Sequence, residues 1–176
     1  LPSRLVADVA DPARFVIAHF FNPPTTVPLL EVVPAPATSP ATIAAVADLL
    51  SDAGKQVVVL RREIPGFVAN RLQAALYREA FALEREGIAD FADIDLVVRA
   101  GLGARWAAGG PFTVVDLGGL ALSGSVTARL FPTLANDDAT PPAISARVAV
   151  GDLGAQTGSG IFAHDAAGDD SVRARI

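Results

Sequence analysis

A histidine and a glutamate twelve residues apart are the side chains of this sequence best suited to acid–base chemistry. His19 lies in a β-branched and aromatic run from Phe15 to Phe21. Glu31 lies in a second apolar run, from Leu29 to Val33. Both runs are typical of strands, and the proline-containing segment between them is typical of a turn. Because His19 and Glu31 are equally distant from Thr25, antiparallel pairing about that residue places them opposite each other.

A carboxylate beside an imidazole determines which ring nitrogen carries the proton, and it stabilises the charged imidazolium. A histidine held in this way can act as a general base. The spacing leaves an alternative open, in which His19 is a core histidine bound to a backbone group and Glu31 is a solvated carboxylate at a sheet edge. The residues by themselves indicate a candidate acid–base pair.

The elements around this pair predict an α/β segment. Ser39 and Pro40 are residue types of an N-cap and a first helical position, and apolar residues recur at helical spacing from there to Gly54. The run from Gln56 to Leu60 is typical of a buried strand. Residues 1–62 are therefore expected to form strand, strand, helix and strand, after a short helix or turn.

From Pro65 onward the apolar spacing is helical almost to the end of the chain. The sequence thus predicts an α/β segment followed by an all-α domain over residues 63–176. Helices are predicted at Phe67 to Glu86, at Asp93 to Ala100 with a stop at Gly101, from Pro111, at Leu120 to Leu134 and at Pro142 to Val150. The predicted buried side of the longest helix consists of Leu72, Ala75, Leu76, Ala80 and Leu83. The tail after Phe162 is expected to fray.

Composition excludes several classes of partner. The net charge of −5 and the scattered basic residues argue against nucleic acid or an anionic membrane as the partner. Without cysteine and with two histidines, the 176-residue chain offers neither disulfides nor a thiolate metal site. No apolar run is long enough for a membrane span and no signal pattern is present, so we expect a cytoplasmic protein. The chain begins at Leu1 rather than Met, and we expect an N-terminal part to precede it.

Three separated motifs resemble the 3-hydroxyacyl-CoA dehydrogenase family. They are His19-Phe20-Phe21-Asn22-Pro23-Pro24 with Pro28 to Val33 after it, Pro65-Gly66-Phe67-Val68-Ala69-Asn70-Arg71-Leu72, and Thr157-Gly158-Ser159-Gly160-Ile161-Phe162. The resemblance implies the C-terminal portion of a Rossmann-type NAD-binding domain over residues 1–62. It also implies that residues 63–176 form a helical bundle of the 6-phosphogluconate dehydrogenase C-terminal type. In the family that bundle binds substrate and usually forms a homodimer.

The resemblance also implies an activity and roles for particular residues. The activity is NAD-dependent interconversion of a 3-hydroxyacyl-CoA substrate and its 3-oxoacyl form in fatty acid metabolism, with no metal. His19 would be the acid/base and Glu31 its partner, while Asn70 would contact the substrate. Asn22 follows the His19 strand and is expected near the site. From the residues alone, Asn70 could instead bond backbone groups, and Asn22 could form an Asx turn before Pro23.

Two glycine clusters do not fit a phosphate-binding loop. Gly101-x-Gly103 has Trp106 where a third small residue belongs, and Gly158-x-Gly160 follows no predicted strand. We therefore expect NAD to bind mainly outside this chain. The segments around Asn22 and Gly101 also resemble the lambda-crystallin and L-gulonate dehydrogenase branch. Two other functions stay open, a dehydrogenase of a small 3-hydroxy acid such as L-gulonate and a non-catalytic crystallin-like or dimerisation module.

Overall fold

The computed structural model describes residues 1–173, and its contacts divide the chain into two units. The first unit contains Leu1–Gln73 together with the segment that begins at Ala167, and the second contains Ala74–Ala166. The strands are β1 (Val16–Phe20), β2 (Leu29–Pro34) and β3 (Gln56–Val59). The α-helices are α1 (Pro2–Leu5), α2 (Pro40–Asp52), α3 (Ala69–Arg85), α4 (Phe91–Val97), α5 (Ala104–Ala108), α6 (Pro111–Gly118), α7 (Leu120–Leu130), α8 (Pro142–Val150) and α9 (Ala166–Arg173).

The strands of the first unit form one sheet in the order β1-β2-β3. β1 and β2 pair antiparallel, whereas β2 and β3 pair parallel and are joined by α2. A strand, a helix and a parallel strand make a βαβ unit, the repeating element of nucleotide-binding α/β folds. This confirms the predicted fold class, an α/β segment followed by helices, and the predicted order of its elements.

The core of the first unit is centred on β2, the middle strand. Leu30, Val32 and Val33 are completely buried because neighbouring strands and α2 cover this strand. The prediction that β3 is buried is wrong, since Val58 and Val59 are 46% and 43% exposed. β3 lies at the edge of the described sheet, so it has a neighbouring strand on one side only.

Helix α2 begins as its sequence predicts. The Ser39 hydroxyl accepts a hydrogen bond from the Thr42 backbone N–H at 3.1 Å, and Pro40 occupies the first helical position. Both features satisfy or avoid backbone donors that the first turn of a helix leaves without partners. The Thr42 hydroxyl also donates to the Ala13 carbonyl at 2.8 Å, which fixes the start of α2 beside the residues that lead into β1.

Helix α3 begins later than predicted and is less buried. Gly66 and Phe67 have φ angles of +78° and +51°, so the chain enters the helix only at Ala69. Ala82 is the buried residue of α3, whereas Leu72 is 62% exposed and Ala75 is exposed as well. The prediction that Leu72 and Ala75 are buried is therefore wrong, because both side chains are exposed.

The predicted helix stop at Gly101 is also wrong. Helix α4 begins after Asp90, whose carboxylate accepts a hydrogen bond from Asp93 N–H at 2.9 Å, and it continues into a π-helical turn over Val98–Gly103. A Cβ at Gly103 would lie 3.1 Å from the Val98 carbonyl oxygen. The glycine at this position therefore allows the wide turn to close instead of ending the helix.

The Thr157 to Phe162 motif folds back on the helices of the second unit. Ser159 makes isolated bridges with Gly154 and Ala163, and a Cβ at Gly160 would lie 2.7 Å from the Gly154 Cα. Phe162, which follows this close crossing, lines an apolar cavity of about 280 Å³. The predicted fraying after Phe162 is wrong for residues 166–173, which form α9, and residues 174–176 lie outside the described part.

Helices α6 and α7 carry much of the exposed apolar surface of the second unit. Phe112 and Leu117 of α6 are 87% and 85% exposed, and Leu120 and Leu122 of α7 are 67% and 64% exposed. Among the described residues, no single helix is long and apolar enough to cross a membrane. Helices Pro111–Gly118 and Leu120–Thr133 are long and apolar enough only when taken together, and the chain bends by 114° between them.

A hydrogen bond ties the start of the chain to the segment before α3 and makes a prediction about acid stability. The Ser3 N–H donates to Glu63 Oε2 at 2.8 Å, and hydrogen bonding to Ser3 lowers the pKa of Glu63. A lowered carboxyl pKa contributes stability above the ordinary carboxyl pKa, and that contribution disappears as the pH falls through the lowered value. We expect Glu63→Gln to lower the urea midpoint slightly at neutral pH and to leave it unchanged in strong acid. Equal differences at both pH values would contradict this linkage.

Candidate active site

The structure brings His19 and Glu31 together as the strand register predicts. His19 in β1 is opposite Glu31 in β2, and His19 Nδ1 lies 2.8 Å from Glu31 Oε2. The His19 side chain is 26% exposed, whereas the Glu31 side chain is 2% exposed. The alternative of a glutamate in solvent is therefore wrong. The pair consists of a buried carboxylate and an imidazole that solvent reaches.

Both oxygens of the buried Glu31 carboxylate have hydrogen-bond partners. Its Oε1 accepts hydrogen bonds from the backbone N–H groups of Val68 and Ala69, at 2.9 and 3.0 Å. Its Oε2 faces His19. Burying a charge without such partners is strongly unfavourable, and the N-terminal end of a helix favours negative charge. The first turn of α3 and the imidazole together compensate the burial of Glu31.

The hydrogen bond to Glu31 also assigns the tautomer of His19. An ionised carboxylate only accepts hydrogen bonds, so the proton of the neutral imidazole lies on Nδ1. The lone pair of the ring is then on Nε2. Within the described part of the chain, Nε2 has no hydrogen-bond partner, and the ring is partly exposed. His19 therefore presents a proton acceptor to whatever molecule binds beside it.

Two phenylalanine rings contact the imidazole edge-on. The Phe67 ring centroid lies 5.1 Å from that of His19 with an angle of 67° between the planes, and the Phe21 centroid lies 6.2 Å away at 84°. Edge-to-face contacts of this kind are a favourable arrangement of aromatic rings. His19 thus has a hydrogen bond to Glu31 on one ring nitrogen and a ring contact with each of two phenylalanines.

The two asparagines predicted near the site are both exposed. Asn70 is the second residue of α3 and directly follows Ala69, one of the two amide donors to Glu31. Asn22 lies two residues after the end of β1, at the start of the loop that leads to β2. Among the described residues, neither side chain is hydrogen-bonded to the His19 and Glu31 pair. Within the described residues 1–173, the Asn22 side chain makes no hydrogen bond, so the Asx turn considered for it is not formed there.

Residue patterns missed two parts of the site. The sequence predicted neither the backbone amides of Val68 and Ala69 as donors nor the ring of Phe67 as a neighbour of His19. The signal that could have found the two amides is Pro65-Gly66, a pair typical of a tight turn, directly before the helix. Outside the pair itself, sequence reasoning also missed a contact of the loop between β1 and β2, where Lys55 Nζ donates to carbonyls that include that of Val27 at 3.3 Å.

The site contains a proton acceptor for a bound substrate, because an imidazole with an available nitrogen can remove the proton of a hydroxyl group. A dinucleotide cofactor has other requirements. The pyrophosphate needs a glycine-rich turn between a strand and a helix. Neither cluster has that setting, because Gly101 and Gly103 lie in the π-helical turn and Gly158 and Gly160 lie in a loop. Among the described residues, no group of three or more His, Asp or Glu side chains could hold a metal ion.

Two family models match consecutive parts of the chain. Residues 1–64 match the NAD binding domain of 3-hydroxyacyl-CoA dehydrogenase, and residues 66–164 match its C-terminal domain. The fold that the motifs implied is thus confirmed. The resemblance also implied NAD as the cofactor, and the domain that residues 1–64 match is an NAD binding domain.

Proteins named for several different activities are similar to the chain in sequence. The chain is 35% identical to 5-formyl-3-hydroxy-2-methylpyridine 4-carboxylate 5-dehydrogenase of Mesorhizobium japonicum over 92% of its length and 52% of the relative. It is 46% identical to L-carnitine dehydrogenase of Streptomyces griseus over 64% of the chain and 33% of the relative. It is 44% identical to lambda-crystallin of Oryctolagus cuniculus over 66% of the chain and 37% of that protein.

A solved structure agrees with the fold over nearly the whole chain. The crystal structure of the NAD⁺-dependent 5-formyl-3-hydroxy-2-methylpyridine 4-carboxylic acid 5-dehydrogenase superposes with a TM-score of 0.94 at 33% identity, covering 99% of this chain and 56% of that one. The chain spans about half the length of this relative and less of the others. Since both domain models match in order and together cover most of its residues, the chain belongs to the 3-hydroxyacyl-CoA dehydrogenase family.

Proposed function

We propose that the protein to which this chain belongs is an NAD-dependent dehydrogenase that interconverts a 3-hydroxyacyl-CoA and its 3-oxoacyl-CoA. One observation carries the proposal: a buried carboxylate orients an imidazole whose second nitrogen is available to a substrate. His19 Nδ1 and Glu31 Oε2 are 2.8 Å apart, and Glu31 is 2% exposed. This is the arrangement of a general base whose tautomer is set by its partner.

In the proposed reaction, His19 Nε2 accepts the proton of the substrate's 3-hydroxyl group as the C3–H bond breaks and a C=O bond forms. Bound NAD⁺ supplies the chemistry of hydride acceptance. Glu31 holds the Nδ1 proton and stabilises the imidazolium that results. In the reverse direction, the imidazolium returns the proton to the oxygen. The substrate thus loses two electrons with the hydride from C3 and one proton from its hydroxyl group to His19.

Asn70 is proposed to donate to the substrate oxygen that His19 deprotonates. It lies in the first turn of α3, where an amide and the helix end both favour developing negative charge. We expect Asn70→Ala to lower kcat by roughly 10² with an unchanged unfolding midpoint, because the side chain is exposed and its loss leaves no buried group without a partner. Steady-state kinetics with Asn136→Ala, in an exposed loop, is the matched control. Equal kcat values for the two variants would exclude this role for Asn70.

A second substrate class is favoured by the named relatives. L-Carnitine and pyridine carboxylates are small free acids, and proteins named for them are 46% and 35% identical to the chain. In a free 3-hydroxy acid, such as carnitine or L-gulonate, the hydroxyl group is on the third carbon counted from the carboxylate carbon. In a 3-hydroxyacyl thioester it is on the third carbon counted from the thioester carbonyl carbon. The same pair of His19 and Glu31 would therefore serve either substrate.

The deciding experiment is NADH oxidation with purified protein expressed from the full reading frame that contains this chain. Acetoacetyl-CoA, 3-dehydrocarnitine and a 3-keto sugar acid are offered side by side, with NADPH in a parallel series. Turnover on acetoacetyl-CoA supports the thioester proposal. Turnover confined to a free acid moves the protein to the second class, and no turnover on any of them supports a non-catalytic role.

We further propose that the protein is a homodimer through its helical domain, residues 63–176, with residues 1–62 as part of the NAD-binding domain. Support comes from the apolar side chains of α6 and α7, since exposed patches of this kind mark interfaces. Light scattering is expected to give twice the mass of one polypeptide, and Leu117→Arg to give a monomer. A wild-type monomer at micromolar concentration would contradict the proposal. The cytoplasmic location stays a prediction.

A further inference from the structure

The turn before α3 contains an unusual backbone conformation. Phe67 has a φ of +51°, and it is the one non-glycine residue with a positive φ in the described part of the chain. L-residues with a side chain rarely adopt this left-handed region, because Cβ crowds the following carbonyl. The preceding Gly66, at +78°, adopts it without strain. A second glycine at position 67 would make the same turn more easily, so the phenylalanine must contribute through its ring.

The ring of Phe67 contacts the imidazole of the proposed base. Its centroid lies 5.1 Å from that of His19, closer than the 6.2 Å of Phe21, and the planes meet at 67°. The ring therefore occupies space into which the imidazole would otherwise rotate. Rotation of His19 would break the 2.8 Å contact between Nδ1 and Glu31 and move Nε2 away from a bound hydroxyl group.

The backbone of the same residue directs the donors of Glu31. Phe67 N–H donates to the Ile64 carbonyl at 3.0 Å, which closes the turn. The next two N–H groups, of Val68 and Ala69, then point at Glu31 Oε1 at 2.9 and 3.0 Å. One residue in a left-handed conformation is thus adjacent to both members of the pair, through its ring to His19 and through its chain direction to Glu31.

We propose that Phe67 is a positioning residue for His19, whose ring keeps the imidazole in the orientation in which Nδ1 faces Glu31 and Nε2 faces the substrate. The role rests on the proposed function of His19 as the base. It goes beyond that function because Phe67 exchanges no proton and need not touch the substrate. Its removal is therefore expected to act on kcat through the orientation of the imidazole, with the backbone turn kept.

Three variants separate the ring from the backbone. Phe67→Gly keeps the left-handed turn and removes the ring, Phe67→Leu keeps apolar bulk without an aromatic edge, and Phe67→Tyr restores the ring. Phe20→Leu is the matched control, since Phe20 is on β1 next to His19 but points to the opposite face of the sheet. All are made in the full reading frame and checked by their unfolding midpoints.

The first readout needs no substrate. In protein labelled with ¹⁵N-histidine, the His19 signal is identified as the one lost in His19→Gln, and its nitrogen shifts report the Nδ1-protonated fraction. We expect that fraction to fall in Phe67→Gly and Phe67→Leu and to stay at the wild-type value in Phe67→Tyr. If both ring-less variants keep the wild-type tautomer, the proposal is wrong. This readout stands even if no offered substrate turns over.

The second readout is the division between kcat and KM. With the best substrate found, kcat is expected to fall about tenfold to a hundredfold in the ring-less variants, with KM changed by less than about threefold. Phe67→Tyr and Phe20→Leu should keep the wild-type kcat. A loss carried mainly by KM would show instead that Phe67 binds substrate, and it would overturn the positioning role. Should Phe67→Gly fail to fold, the comparison of Phe67→Leu with Phe67→Tyr decides the question by both readouts.

Discussion

Replacing His19 with glutamine is expected to lower kcat by about 10² to 10⁴, the usual contribution of a positioned general base. Glutamine keeps an amide that can meet Glu31, so the buried carboxylate retains a hydrogen-bond donor and the fold should persist. It has no nitrogen that accepts a proton at neutral pH, so the hydroxyl proton must pass to water. The measurement is steady-state turnover on whichever of the offered substrates the wild-type protein turns over.

The chain contains a matched control for this change. His164, the second histidine, lies in the second unit beyond the Thr157 to Phe162 motif. His164→Gln is expected to keep kcat within about twofold, as surface or structural histidines do not take part in proton transfer. Equal losses in the two variants would mean that the chemistry does not depend on His19. Full activity of His19→Gln would remove the acid/base proposal altogether.

The second large effect is expected from Glu31→Gln, which changes one atom and reverses the hydrogen bond to His19. The amide oxygen of glutamine must accept from Val68 and Ala69 N–H, which leaves its NH₂ group facing Nδ1. Nδ1 then has to accept, and the proton of the neutral ring moves to Nε2. That is the nitrogen from which the proposed base acts. In serine proteases, loss of the correct tautomer by such a change costs about 10⁴ in kcat, and we expect a loss of similar order here.

Glutamine is a cleaner replacement than alanine at this position. Alanine would leave the two part-buried N–H groups without their acceptor, at a cost of up to about 1–3 kcal/mol each, so lost activity would be mixed with lost stability. Glu63→Gln, the same change in the same unit, serves as the control for activity. Unchanged kcat in Glu31→Gln, with the ¹⁵N shifts still reporting a proton on Nδ1, would refute the tautomer argument.

Local patterns predicted the pairing of the two strands and the start of α2 because both depend on neighbours in sequence. The alternation of side chains and the position of the turn fix which residue is opposite His19. Ser39 and Pro40 satisfy or avoid the donors of a first helical turn without help from the rest of the fold. Such features need no knowledge of tertiary contacts.

The errors share the opposite cause. A glycine such as Gly101 is typical of a helix end, but the helix continues here as a wide π-helical turn. That turn closes because Gly103 has no Cβ to meet the Val98 carbonyl oxygen. Leu72 has helical spacing, yet helical spacing does not say whether another element covers that face. The contact of Phe67 with His19 was missed because it joins segments far apart in the chain, and a phenylalanine gives no sign in sequence of a left-handed backbone.

The contacts of Glu31 Oε1 have a consequence for recombining these enzymes. Its donors are main-chain N–H groups, so many side chains at positions 68 and 69 keep the contact, while proline at either position removes a donor. Helix α3 spans the division between Gln73 and Ala74, so a chimaera joined there would splice the middle of one helix. A junction after Glu86 keeps β2, the turn and the whole helix from one parent. Exchanging helical domains at that point would vary the second unit while preserving the acid–base pair.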